Sequence, residues 1–252
     1  MTRSESLLPL YGSRPSVLPS DRRAWEDRRV LELDTPHGPA RAHLHLADEP
    51  RAALVLGHGA GGGVTAPDLV AATAAAQASG VSVALIEQPY RVAGRRSAAP
   101  AGQLDAAWIA VVEQLFAPAG GAARGPSAAG SPAARSAAGP LHPLPLIAGG
   151  RSSGARVACR TAAATNAIGV LCLAFPLQPP QRASAAAPPP DRLHELDAVT
   201  VPTLVVQGIR DRFGMPPAAP NRTVVEVAGD HALRTNVASI GATVRRWLDA
   251  LP

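Results

Sequence analysis

The chain has 252 residues, 46% of them hydrophobic and only 3% aromatic, with a formal net charge of +5 and a pI near 10.4. That length suits one α/β domain whose core is packed mainly with Ala, Val and Leu. All 24 basic side chains are arginine, dispersed without a basic helix or interleaved aromatics, which argues against a nucleic-acid partner. No run of about 18 apolar residues suggests a membrane span. The opening MTRSESLLPLYGSRPSV lacks the apolar stretch of a signal peptide, so a cytoplasmic location is expected.

Residues 1–28 are polar and rich in proline and arginine, and read as an extended arm ahead of a domain over 29–252. Val30–Thr35 and Ala40–Ala47 alternate apolar and polar positions around Pro36-His37-Gly38-Pro39, which predicts an antiparallel hairpin. A continuously apolar strand is then expected at Ala52–Leu56, and further strands at Val81–Ile86, Leu144–Ala148, Ile168–Ala174, Thr203–Gln207 and Thr223–Val227. Helices are expected at Pro67–Ser79, Leu104–Phe116, Ser153–Thr165 and Leu233–Leu251. Apolar strands alternating with helices predict a mostly parallel sheet covered on both faces. Residues 117–143 are a low-complexity run that cannot bury a core, and read as a flexible insertion. Residues 178–190 read as a Pro/Ala loop. Cys159 and Cys172 lie in apolar stretches and are expected to be reduced core thiols.

Residues 150–154 read Gly-Arg-Ser-Ser-Gly, a G-x-S-x-G match set between a strand and a helix. That setting is what a nucleophile elbow requires, because a sharp turn lifts the serine above the sheet edge. Ser152 is therefore the candidate nucleophile, and the backbone N–H of Ser153 falls where an oxyanion donor is expected. The glycine-rich stretch Gly57-His58-Gly59-Ala60-Gly61-Gly62-Gly63 follows an earlier strand and would supply the second donor, from Ala60 or Gly59. It does not match a phosphate-binding loop, which needs a lysine. His58 reads as a structural hydrogen-bonding residue there. Asp211 follows the strand Thr203–Gln207, and His231 sits between the last strand and the last helix. The order Ser, Asp, His is the one this chemistry takes on an α/β sheet. Asp230 competes as the acid, but a side chain adjacent in sequence rarely faces its neighbour's ring, so Asp211 is preferred. His43 and His45 share a strand face without a third ligand, so neither a metal nor a cofactor is expected.

On these residues the core, about 30–251, resembles the α/β-hydrolase superfamily. Pro89-Tyr90, then Gly94-Arg95-Arg96, then Pro100 narrow the resemblance, together with Phe175-Pro176-Leu177, Pro179 and Gln207-Gly208…Asp211-x-Phe213-Gly214. They are similar to the small branch holding bacterial dienelactone-hydrolase-like proteins, the hydrolase-like domain of an NSL chromatin-complex subunit and a testis-expressed relative. Ala155, Arg212 and Gln88 depart from the branch's usual glycine, proline and aromatic. The resemblance implies an α/β-hydrolase fold, here with the minimal lid that the short segment between Ala174 and Thr203 predicts, and roles for Ser152, Asp211 and His231 as nucleophile, acid and base. The resemblance does not imply a substrate; the triad itself predicts hydrolysis of an ester, thioester or activated amide through an acyl-enzyme on Ser152. The alternative is a non-catalytic scaffold, because fold does not set function. Only about 25 residues separate the strand ending at Ala174 from the one starting at Thr203, which predicts an open site for a small acyl substrate. Arg95 and Arg96 lie after the fourth strand and are candidates for binding a substrate carboxylate or phosphate, or for pairing within the domain.

Overall fold

A computed structural model describes residues 29–120, 138–179 and 190–252. The arm expected over 1–28 lies outside the described residues, as do most of the insertion over 117–143 and of the loop over 178–190. The hairpin is β1 (Arg29–Leu33) and β2 (Ala40–His45). After it come β3 (Ala52–Gly57), α1 (Pro67–Ala78), β4 (Val81–Glu87), α2 (Pro89–Val92) and α3 (Ala101–Leu115). The second half runs β5 (Leu146–Arg151), α4 (Ser153–Thr161), β6 (Gly169–Leu173), α5 (Leu193–Asp197), β7 (Thr203–Gly208), β8 (Arg222–Val227) and α6 (Val237–Ala250).

The eight strands form one sheet in the order β1-β2-β4-β3-β5-β6-β7-β8. The pairs β1–β2 and β2–β4 are antiparallel, and every pair from β4 through β8 is parallel. Strands β3, β6 and β7 are buried along their whole length, which explains why their sequences carry unbroken apolar runs rather than alternating. β2 alternates instead, burying Ala40, Ala42 and Leu44 while Arg41, His43 and His45 point outward.

Helices cover both faces. On one, Leu104, Trp108 and Val111 of α3 join Ala155 and Ala158 of α4 and Leu196 of α5 in a single buried cluster. On the other, Leu69, Ala72 and Ala76 of α1 meet Ile240, Val244 and Leu248 of α6. The α6 residues recur every four positions, so one stripe faces the sheet. Each fully buried leucine or isoleucine contributes about 1.5–3 kcal/mol. Cys159 of α4 and Cys172 of β6 are both buried free thiols with Sγ atoms 3.5 Å apart.

Three departures from expectation matter for the site. The strand expected at 144–148 runs instead from Leu146 to Arg151, because Gly149 and Gly150 stay in the ladder, opposite Leu56 and Gly57 of β3. These glycines look like turn residues, yet a Cβ on Gly149 would stand 2.8 Å from Leu171 O, and one on Gly150 would stand 2.6 Å from Gly57 O. They are small because neighbouring backbone passes close. The last helix starts at Val237, not Leu233: residues between β8 and α6 form a loop with Leu233 and Asn236 at positive φ. The short helices α2 and α5 carry too few residues to show a helical period in sequence.

Candidate active site

The loops that follow β3, β5, β7 and β8 meet at one end of the sheet, outside the carboxyl ends of the parallel strands, where open α/β sheets place their ligands. A cavity of 990 Å³ lies there, lined by Ser152, Ser153, His231, Ala60 and the Gly61–Gly63 loop among others.

Ser152 ends the β5 turn with φ 52° and ψ −107°. A non-glycine residue held at positive φ costs about 1–3 kcal/mol and persists only where its surroundings enforce it. Here they do: Ser152 N–H donates to Leu173 O of β6 at 2.9 Å, and α4 begins at the next residue. Gly154 lies directly against the Gly57 carbonyl, leaving no room for a Cβ. Strand, turn and helix are thus clamped onto β3, and the Ser152 side chain is turned out toward the cavity.

His231 comes from the loop after β8. Ser152 Oγ–H lies 2.9 Å from His231 Nε2, and His231 Nδ1–H donates to Asp211 Oδ2 at 2.7 Å. The structure therefore brings Ser152, His231 and Asp211 into one hydrogen-bonded chain. Asp230 takes another role, its Oδ1 accepting from Ala232 N–H at 2.9 Å in a local turn. The Asp211 side chain is 1% exposed. Its oxygens also accept from Phe213 N–H and from the Gln207 side-chain amide, both at 2.9 Å. That amide additionally reaches Phe175 O and Gly214 O, so Gln207 ties Asp211 to the segment that follows β6 and to its own loop. The Phe213 ring meets the His231 ring edge-on, with centroids 4.5 Å apart.

The glycine-rich loop is oriented by His58. Its Nδ1–H donates to Gly59 O at 2.8 Å, and its Nε2 accepts Gln88 N–H at 3.1 Å. Burial lowers the His58 pKa, which favours the neutral ring this arrangement needs. Gly59 O also accepts from Gly62 N–H at 3.1 Å. In a trans peptide the N–H points opposite to the C=O, so anchoring Gly59 O inward turns the Ala60 N–H outward. Tyr90 Oη–H donates to Ala60 O at 2.9 Å and fixes the following peptide. Of the two residues named for the second donor, Ala60 lines the cavity and Gly59 does not. Gly59 instead backs onto the elbow, where a Cβ would stand 2.7 Å from Arg151 Nη1. Ser153 also lines the cavity and opens α4, where a backbone N–H has no partner within the helix.

Arg151 and Asp68 carry no motif and were missed by sequence reasoning. Arg151 is the variable position of G-x-S-x-G, and Asp68 looks like an ordinary first-turn acid of α1. In the fold, Arg151 Nε lies 3.0 Å from the Oδ2 of Asp68, whose side chain is wholly buried. Arg151 Nη2–H donates to His231 O at 3.0 Å. One guanidinium thus joins the elbow, α1 and the histidine loop. Burial raises the Asp68 carboxyl above its ordinary pKa, with the Arg151 charge opposing. Arg95 and Arg96 stand exposed on the turn after α2, and neither borders the cavity. Among the described residues no group of three or more His, Cys, Asp or Glu is placed to hold a metal ion, and no helix is long and apolar enough to cross a membrane.

Residues 50–249 match the family model described as alpha/beta hydrolase domain. Comparison with curated protein sequences gives no match. Among solved structures, the chain is similar to XC6422 of Xanthomonas campestris, described as an α/β serine hydrolase without lid. The TM-score is 0.59 at 19% identity, covering 94% of this chain and 100% of that one. It is also similar to a dienelactone hydrolase of Anabaena variabilis, with TM-score 0.61 at 14% identity over 88% and 96% of the two chains. Est1E of Butyrivibrio proteoclasticus gives TM-score 0.61 at 14% identity over 87% and 97%.

Proposed function

The chain belongs to the alpha/beta hydrolase domain family, and on that premise we propose that it is a serine hydrolase acting on an ester, thioester or activated amide through an acyl-enzyme. The observation that carries the reading is the continuous chain Ser152 Oγ–His231–Asp211, at 2.9 and 2.7 Å. Ser152 Oγ attacks the substrate carbonyl while His231 Nε2 takes its proton. Asp211 holds the ring in the tautomer that leaves Nε2 free to accept, and stabilises the imidazolium once it forms. The N–H groups of Ser153 and Ala60 receive the oxyanion. One such donor is worth about 3–4 kcal/mol in the transition state, because it is aimed before charge develops. His231 returns its proton to the leaving group, and water then releases the acyl group by the same route.

Within the family, the Pro89-Tyr90…Gly94-Arg95-Arg96 segment supports placing the chain in the branch with the NSL-subunit and testis-expressed relatives. In the fold this segment forms α2 and its turn, and Tyr90 supports the Ala60 peptide. A fluorophosphonate probe tests the function. Labelling of the wild type that disappears in Ser152→Ala, with turnover of 4-nitrophenyl esters, is the expected result. A folded wild type that neither labels nor turns over any ester refutes it and leaves a scaffold on this fold.

A further inference from the structure

The cavity around Ser152 and His231 has an unbalanced wall. Six arginines line it, at positions 151, 156, 160, 192, 212 and 234, and among the described residues no aspartate or glutamate does. Three of the six are neutralised from behind. Arg151 faces Asp68. Arg156 holds Glu195 through Nε at 2.8 Å and Nη2 at 2.5 Å. Arg160 holds Asp105 at 2.8 and 2.7 Å and reaches the same Glu195 at 3.2 Å.

The other three arginines form no ion pair among the described residues. Arg212 lies with its Cζ 4.8 Å over the Phe213 ring, and Arg234 is exposed three residues beyond His231. Arg192 is the most constrained. It is half-buried, and among the described residues its one side-chain hydrogen bond runs from Nη1 to Pro176 O at 2.9 Å. Glu195 is already shared by Arg156 and Arg160. Burial, and then the Arg156 charge, push the Arg192 guanidinium below its ordinary pKa, with the Glu195 charge opposing. Its Nε and Nη2 donors remain for a ligand, in the fork geometry that matches a carboxylate or phosphate.

We propose that this cavity is an anion-recognition site: the acyl substrate carries a carboxylate or phosphate, which docks on Arg192 beside Arg156 while its carbonyl lies at Ser152. The inference rests on the hydrolase reading. It moves anion recognition from Arg95 and Arg96, which stand outside the cavity, to a cluster on α4 and the segment leading into α5.

The test compares kcat/KM for 4-nitrophenyl butyrate with that for the mono-4-nitrophenyl ester of glutarate, which adds a terminal carboxylate. The anionic ester is expected to be preferred about tenfold or more at low salt, with the preference shrinking as salt rises. Arg192→Gln should cut that preference about tenfold, and Arg192→Lys should restore only part of it, because an ammonium keeps the charge and loses the fork. Calorimetric titration with glutarate and with inorganic phosphate reads the site without turnover, and the tighter of the two names the oxyanion. Equal kcat/KM for the two esters in the wild type, or a preference untouched by Arg192→Gln, overturns the proposal while leaving the hydrolase reading standing. If neither ester turns over but both anions bind through Arg192, the hydrolase reading fails and the anion site survives.

Discussion

Replacing Asp68 by leucine removes the one carboxylate that faces Arg151 among the described residues and leaves a guanidinium whose side chain is just 15% exposed. Losing one partner of a buried pair costs about 3–5 kcal/mol, because the remaining charge is stranded. Arg151 borders the cavity and can turn toward water, so the lower end applies, about 3 kcal/mol. For a domain of this size that is a fall in Tm of about 6–12 °C. Burial raises the Asp68 pKa even though Arg151 opposes it, so the intact ion pair adds little net stability. The double variant Asp68→Leu with Arg151→Met should therefore recover most of the loss, since apolar replacement of a buried pair is often neutral. Activity should not recover. Without Arg151, His231 O loses its hydrogen bond, and a shift of about 1 Å in a catalytic group can cost 10²-fold in rate. Urea denaturation and turnover of 4-nitrophenyl butyrate, measured on the two single variants and the double variant, separate these effects. Additive stability losses, or full activity in the double variant, would refute the assignment of Arg151 and Asp68 as one unit holding the histidine loop.

The remaining predictions concern the clamps around the site. Gly154→Ala gains up to about 1 kcal/mol in helix propensity, yet its Cβ runs into the Gly57 carbonyl; the clash should win, with a net loss of about 1–3 kcal/mol in thermal denaturation and a fall in kcat as the elbow moves. Gln207→Leu removes the amide whose two N–H groups are shared among Asp211 Oδ2 and two carbonyls. A loss of about 10–100-fold in kcat is expected, with a smaller change in KM, since a hydrogen bond to a charged group is worth about 1.5–3 kcal/mol. His58 makes stability depend on pH. Burial lowers its pKa from 6.5, so between the folded and unfolded values the unfolded chain binds more protons. Its contribution is complete above pH 6.5 and is lost as pH falls below that value, with a slope of up to about 1.4 kcal/mol per pH unit. Denaturation midpoints at pH 7.5 and 5.5 should diverge more in the wild type than in His58→Asn, and equal divergence would remove His58 from the account.

Much of this protein was legible in sequence because it rests on local rules. Continuous apolar runs such as Leu54–Leu56 and Leu171–Leu173 report strands buried on both faces, and the spacing of Ile240, Val244 and Leu248 reports a helix with one buried stripe. The strand–turn–helix setting around Ser152, and the order of Ser152, Asp211 and His231 along the chain, were likewise visible as pattern. What the tertiary structure decided is everything that depends on meeting partners far apart in the chain. Gly149 and Gly150 look like a turn in sequence, yet they stay in the ladder with β3 and β6 close against them. Leu233 read as helix, yet the loop holding His231 takes it to positive φ and buries it. Arg151 and Asp68 are 83 residues apart in sequence, and Glu195 gathers arginines from another element altogether. Hydrophobic period is a property of neighbouring residues, and a sequence displays it directly. Close backbone approach and the balance of buried charge are properties of surfaces that folding alone brings together, so they carry no period to read.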